Sequence, residues 1–303
     1  MAGGGAGGGR CSTMLEGFSI ETTPQTSAKV EDHSAILPAG TRVYVAAIPG
    51  VALEDVSALC ARLKREGLTA VPHVAARSFR DQQTLAAFLA QLQEGGVEDV
   101  LLIAGDVSEA GAYPSSIALL ETGLIQAHGI RRVDVAGHPE GSPHMNTSAA
   151  HQGSDAIAHV VEKAAWAEKE GIALSLVTQV CFDIDKVGEY VRALRASGVA
   201  APVRVGIPGP ASLASIVKYA AVCGVGPSLS LLTSNPARVL SLATQAASGA
   251  GGVSDPAPLV AALLAQVDKG GLGDVSLHLF SFGGLSRTAE WASRAAREQQ
   301  QQH

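Results

Sequence analysis

Short, almost continuously apolar runs alternate along this chain with longer segments whose apolar residues recur every three or four positions. The short runs predict strands over 17–21, 42–48, 68–73, 99–106, 132–138, 174–179, 203–207 and 274–280, since brief aliphatic stretches bounded by glycine, proline and polar clusters favour extended backbone. The longer segments predict helices, as with Val56, Leu59, Cys60 and Leu63 before Gly67, and Leu85, Phe88, Leu89 and Leu92 before Gly95. Charged last turns followed by glycine, Lys64-Arg65-Glu66-Gly67 and Glu168-Lys169-Glu170-Gly171, mark helix ends that leave through a left-handed residue. Eight strands that are apolar on both faces, each followed by a helix, predict an α/β fold in which a parallel sheet closes on itself: a single (β/α)8 TIM barrel. An open doubly wound sheet is the competing architecture, and eight regular units count against it. Two helical stretches between Pro236 and Gly271 place an extra helix before the last strand. The opening Met1-Ala-Gly-Gly-Gly-Ala-Gly-Gly-Gly-Arg10 predicts a disordered tail over 1–15, which leaves 16–303 as one barrel domain.

Composition refines this picture. With 47% apolar but only 4% aromatic residues in 303, the core must be built from Val, Leu, Ile and Ala. Lys and Arg number 22 against 28 Asp and Glu, a net charge of −6, so nucleic acid is not expected as a partner. The cysteines Cys11, Cys60, Cys181 and Cys223 form no CxxC pair, which argues against a disulfide framework or zinc knuckle and for thiols in a reducing cytoplasm. No charge-free apolar run reaches membrane-spanning length, and the tail lacks the composition of a secretory signal. The expected localisation is cytoplasmic.

In a barrel of this type, chemistry is built at the C-terminal strand ends and the loops that follow. The polar residues there are Glu21, His73, Asp106 beside Gly105, His138 with Glu140, and Gln179 with Asp183. A carboxylic acid in apolar surroundings suits general acid catalysis near neutral pH, and Gly105 permits close backbone approach to a flat ligand. Each also has an ordinary structural role open to it: a solvated strand-end carboxylate, a satisfied histidine, a loop-capping aspartate. His138, His144, His151 and His159 match none of the short metal-ligand spacings, so no metal site is expected. There is no GxxxxGK[ST] phosphate loop, no GxSxG elbow and no GxGxxG fingerprint.

Taken in chain order these residues resemble the methylenetetrahydrofolate reductase family, in its short bacterial form of a catalytic barrel alone. The resemblance runs from Phe18 to about Arg287. It is carried by Phe18-Ser-Ile-Glu-Thr-Thr-Pro24, Pro72-His73, Gly105-Asp106, His138-Pro139-Glu140, and Thr178-Gln179 with Phe182-Asp183. It implies a cytoplasmic flavoprotein of one-carbon metabolism and methionine biosynthesis that forms homo-oligomers. Such an enzyme passes a hydride from NADH or NADPH to FAD, and thence to 5,10-methylenetetrahydrofolate to give 5-methyltetrahydrofolate, or runs the same reaction in the oxidative direction. By the same resemblance Glu21 is the general acid, and Asp106 lies between flavin and folate. Gln179, Tyr219 and Arg287 contact the reduced folate, while His73, Gly105, Tyr113 and His138 lie along the FAD. The chain departs from the family pattern at Ala104, where an arginine is usual, at Ala47-Ile-Pro-Gly50, Ser142, Lys163 and Ile216, and at Phe280-Ser-Phe-Gly-Gly284. These departures keep two alternatives open: direct hydride transfer from NAD(P)H without flavin, and a non-redox folate-binding subunit of a methyltransferase system.

Overall fold

A computed structural model describes residues 14–15, 17–48, 50–105, 111–141, 155–222 and 252–300. Eight parallel strands in the order β1 to β8 form a closed barrel: β1 (Ser19–Thr22), β2 (Arg42–Val45), β3 (Thr69–Ala75), β4 (Asp99–Ile103), β5 (Arg132–Gly137), β6 (Ala173–Val180), β7 (Val203–Pro208) and β8 (Val275–Phe280). Every expected strand is present, with ends displaced by a few residues. β2 stops at Val45 and β4 at Ile103, short of the expected 48 and 106: 46–48 and 104–105 lie outside the strands, and 106 lies outside the described residues. The helices are α1 (Pro24–Ser27), α2 (Leu53–Arg65), α3 (Gln82–Glu94), α4 (Ser116–Leu120), α5 (Leu124–Ala127), α6 (Asp155–Glu170), α7 (Ile184–Ala196), α8 (Leu213–Val222), α9 (Ala257–Asp268) and α10 (Leu285–Gln300). The extra helix before the last strand is α9, the second described helix between β7 and β8; the earlier part of that expectation, over 236–251, lies outside the described residues, as do residues 1–13 of the expected tail. Met14 and Leu15, assigned to that tail, are instead helical and buried, as their apolar side chains favour.

The described residues group into two compact units. One is drawn from Ser19–Ala136 and Lys163–Leu176, the other from the described parts of Met1–Phe18, Gly137–Glu162 and Val177–His303.

In the first unit β1 to β5 pair in parallel register. α2 buries the predicted Val56, Leu59, Cys60 and Leu63, with Glu54 and Asp55 in its first turn and Arg62, Lys64 and Arg65 in its last, matching the helix dipole. It leaves through Gly67 at φ +79°. α3 is capped by Asp81, whose side chain accepts from Thr84 N, and buries Leu85, Phe88, Leu89 and Leu92. One sheet face of this unit carries a polar cluster at the N-terminal ends of its strands. Asp134, wholly buried, accepts from Tyr44 Oη at 2.5 Å and from an Arg42 guanidinium nitrogen at 2.8 Å. Ser175 also donates to Asp134, and Arg42 donates to Asp99 as well. Burial alone would lower the Arg42 pKa, but Asp134, Tyr44 and Asp99 outweigh it and hold the guanidinium above its ordinary value. In the second unit β7 pairs in parallel with β8 along its whole length, and α7 buries Ile184, Val187, Tyr190, Val191 and Leu194.

Candidate functional site

Register decides which strand-end residues meet. Glu21 on β1 pairs with Tyr44 on β2, and Tyr44 with Val71 on β3. Residues in register share a sheet face, and so does the residue two further along a strand. Glu21, Tyr44 and His73 therefore lie on one face, with the Arg42–Asp134 cluster on the same face towards the strand starts. The consequence is a close pair: His73 Nε2 lies 3.4 Å from Glu21 Oε2, with side chains 11% and 17% exposed. The distance suits an ion pair when the imidazole is protonated. It falls short of good hydrogen-bond geometry, and Nε2 is buried without another partner. An acid and a base so placed can hold one proton between them, which the linear sequence did not disclose, because 52 residues of chain separate them.

Gly105, just after β4, adopts φ +88°, and a Cβ there would meet the Ala75 Cβ at 3.2 Å. Glycine is thus needed for a left-handed turn packed on β3. Arg77, which no motif in the sequence marks, reaches this turn from the segment after β3: its Nε donates to Pro114 O at 3.1 Å and a terminal nitrogen to Gly105 O at 3.5 Å. A cation therefore stands at the turn where Ala104 supplies none. Tyr113 is half-buried in the same region. Asp106, assigned a central role from the sequence, lies outside the described residues.

In the other unit, Gln179 near the end of β6 donates from Nε2 to Gly141 O at 2.8 Å. Glu140, buried, accepts from the backbone N–H groups of Phe182 and Asp183 at 2.9 and 2.7 Å. His138 follows β5 directly; Tyr190 packs against Gly137, and its hydroxyl, raised in pKa by burial, faces the His138 backbone. Tyr219 stacks on Phe282 with ring centroids 5.1 Å apart and planes within 6°, so one of its faces is already covered. Arg287 lines a cavity of about 410 Å³ with Pro210, Ser254, Asp255, Trp291 and Arg294, a lining that includes neither Gln179 nor Tyr219.

Ser27, His33 and Glu66 have the connectivity of a nucleophilic relay: Ser27 Oγ is 2.6 Å from His33 Nε2, and His33 Nδ1 is 2.6 Å from Glu66 Oε2. The carboxylate can only accept, so Nδ1 carries the proton and Nε2 accepts from the serine. Ser27 lies along an open groove with Arg62 and Arg65, yet it is 1% exposed and His33 fully buried. The backbone N–H groups of Ser27 and Ala28 already donate to Thr23 O and Pro24 O, so neither is free to stabilise an oxyanion. We read this trio as a clasp of the β1–β2 connection onto α2. Cys60 and Cys181 are buried free thiols whose pKa values burial raises; Cys11 and Cys223 lie outside the described residues. Among the described residues no group of three or more His, Cys, Asp or Glu side chains could hold a metal, and no helix is long and apolar enough to cross a membrane.

Comparison with solved structures returns a barrel of the same fold: an uncharacterised protein from Clostridium thermocellum that binds two copies of 5-methyl-5,6,7,8-tetrahydrofolic acid. It is 10% identical, with a TM-score of 0.56, over 96% of this chain and 98% of that one. A tryptophan synthase from M. tuberculosis matches at 15% identity and TM-score 0.42 over 86% of this chain and 98% of the other. A conserved Enterococcus faecalis protein of unknown function matches at 14% and 0.37 over 64% and 49%. The methylenetetrahydrofolate reductase family model matches residues 28–233. That span is more than half of the chain and runs from β1's following loop beyond α8, across the segments that carry His73, His138 and Gln179, and the chain accordingly belongs to the methylenetetrahydrofolate reductase family.

Proposed function

We propose that this protein is a methylenetetrahydrofolate reductase. It reduces 5,10-methylenetetrahydrofolate to 5-methyltetrahydrofolate with NADH or NADPH, as a single catalytic barrel over residues 16–303, cytoplasmic and homo-oligomeric. The observation that carries the reading is the Glu21–His73 pair in a chain of this family. Opening the folate's five-membered ring to the reactive N5 iminium breaks the bond to N10, and N10 must gain a proton as it leaves. Glu21 holds that proton, and His73 is placed to replenish it. By the family resemblance Gln179 contacts the pterin and Asp106 is assigned to flavin and folate, with Arg287 and Tyr219 serving the rest of the folate. The 5-methyltetrahydrofolate bound by the Clostridium thermocellum protein supports a reduced folate as ligand.

The residues present suit a flavin. Arg77 offers a cation at the Gly105 turn for a phosphate-bearing cofactor, and the resemblance adds His73, Tyr113 and His138 as contacts along it. When bound, FAD supplies the two-electron relay between nicotinamide and folate; the chain supplies orientation and proton handling. Direct hydride transfer without flavin is the second reading, favoured by Ala104.

The visible spectrum of the purified protein, before and after anaerobic NADH, tests both readings. A flavin band bleached by NADH supports the first, and a colourless preparation with full folate turnover supports the second. Glu21→Gln should retain NAD(P)H oxidation by a quinone and lower folate turnover by about 10²- to 10⁴-fold. Normal folate turnover in that variant would remove Glu21 from the role.

A further inference from the structure

Gln179 ends in an amide whose two sides are nearly equal in shape and opposite in hydrogen-bond sense. Its Nε2 donates to Gly141 O at 2.8 Å. A carbonyl only accepts, so a flipped amide would lose this bond and set oxygen against oxygen. Oε1 is thereby turned away from Gly141, and among the described residues no donor reaches it.

Gly141 is itself held from the residue before it. Glu140 is 7% exposed, and one carboxylate oxygen accepts from Phe182 N at 2.9 Å and Asp183 N at 2.7 Å. Asp183 is the N-cap of α7, so the carboxylate lies at the positive end of that helix and satisfies N–H groups that would otherwise be stranded. Gly141 N donates back to His138 O at 3.1 Å, closing the turn, with Gly141 at φ +83°. The result is a reciprocal latch. A side chain of the turn after β5 grips the backbone of the β6–α7 loop, and a side chain of β6 grips the backbone of that turn.

We propose that Glu140 is a positioning residue which, through Gly141, fixes the place and polarity of the Gln179 amide, so that the site selects a ligand edge that donates a hydrogen bond. This rests on the folate reading above. The pterin of a reduced folate carries N–H and NH₂ donors along its 2-amino-4-oxo edge, the chemistry that a fixed Oε1 accepts. An analogue bearing methyl in place of the 2-amino group has lost one of those donors.

The latch and its selectivity are tested separately on the full chain. Backbone hydrogen exchange at Phe182 and Asp183, and the Gln179 side-chain NH₂ resonances, are followed by NMR in the wild type, Glu140→Gln and Glu140→Ala. In Glu140→Ala, exchange at both amides should accelerate by about tenfold or more relative to the interior of α7, with the Gln179 resonances shifted. Glu140→Gln keeps an acceptor and should hold both near the wild type. Unchanged protection in Glu140→Ala would overturn the latch. Should Glu140→Ala fail to fold, Gln179→Ala serves instead: freeing the Gly141 carbonyl should accelerate exchange at Gly141 N, and unchanged protection there would equally overturn it.

Calorimetry then compares 5-methyltetrahydrofolate with its 2-desamino-2-methyl analogue. The wild type should prefer the natural ligand by about tenfold or more, Glu140→Ala should lose most of that preference, and Glu140→Gln should restore it. A Glu140→Ala variant that binds with undiminished preference overturns the selectivity role. A wild type that binds neither ligand overturns the folate reading and the selectivity with it, while the exchange result still decides the latch.

Discussion

Asp134→Asn removes one negative charge from the polar cluster while keeping the side chain's shape. Three donors converge on Asp134: Tyr44 Oη, an Arg42 guanidinium nitrogen and Ser175 Oγ. The wild-type carboxylate accepts all three on two oxygens. Asparagine offers one oxygen and one NH₂, so Ser175 can turn its hydroxyl to accept while Arg42 and Tyr44 keep the single oxygen they already share, and what is lost is the negative charge facing the guanidinium. Arg42 is only 14% exposed and Asp134 not at all, so the lost pairing is poorly replaced by water. Breaking a buried ion pair by removing one partner costs about 3–5 kcal/mol. The second carboxylate, Asp99, still pairs with Arg42 and brings the expectation to the lower end, about 3 kcal/mol. Urea denaturation followed by circular dichroism measures it, with Ser175→Ala and Tyr44→Phe expected to cost about 1.5–3 kcal/mol each, as hydrogen bonds to a charged group. The loss should change little between low and high salt, since a buried pair is weakly screened. A loss below about 1 kcal/mol for Asp134→Asn would refute the view that this cluster is a charge-balanced unit.

Glu66 gives a pH signature. Burial raises its pKa, but hydrogen bonds from Arg62 and His33 outweigh this and hold it below its ordinary value of 4.5. A depressed folded pKa contributes stability that is complete above that value and is lost as pH falls through the folded one. Glu66→Gln should therefore flatten the loss of stability below about pH 4.5, and an acid limb identical to the wild type would remove Glu66 as its source. Gly105→Ala should destabilise by about 1–2 kcal/mol through its left-handed backbone alone, read as a lowered urea midpoint; an unchanged midpoint would show that the turn relaxes. Arg77→Ala should raise the Kd for FAD severalfold while leaving folate affinity unchanged, and equal losses in both would identify Arg77 as a purely structural stitch.

How much was legible beforehand depended on the range of the interaction that decides each feature. The eight strands and the buried faces of α2 and α3 could be read off because period and caps act within a few residues: Val56, Leu59, Cys60 and Leu63 fall on one side of any helix, whatever packs against it. Glu21 and Gln179 could be placed at strand ends for the same reason. The interactions at those ends could not. Glu21 and His73 meet because parallel register carries Glu21 to Tyr44 and Tyr44 to Val71, and pleating then puts His73 on the shared face. Arg77 reaches the Gly105 turn across a loop that sequence spacing does not span. Glu140 stands in the His138-Pro139-Glu140 motif, but its partners, Phe182 N and Asp183 N, are backbone groups that carry no residue signature. Local chemistry thus determined the elements and the strand-end polar residues, whose order along the chain carries the resemblance to the family. Strand pairing and loop packing, which join groups tens of residues apart, decided which carboxylate has an imidazole beside it and which amide has its polarity held.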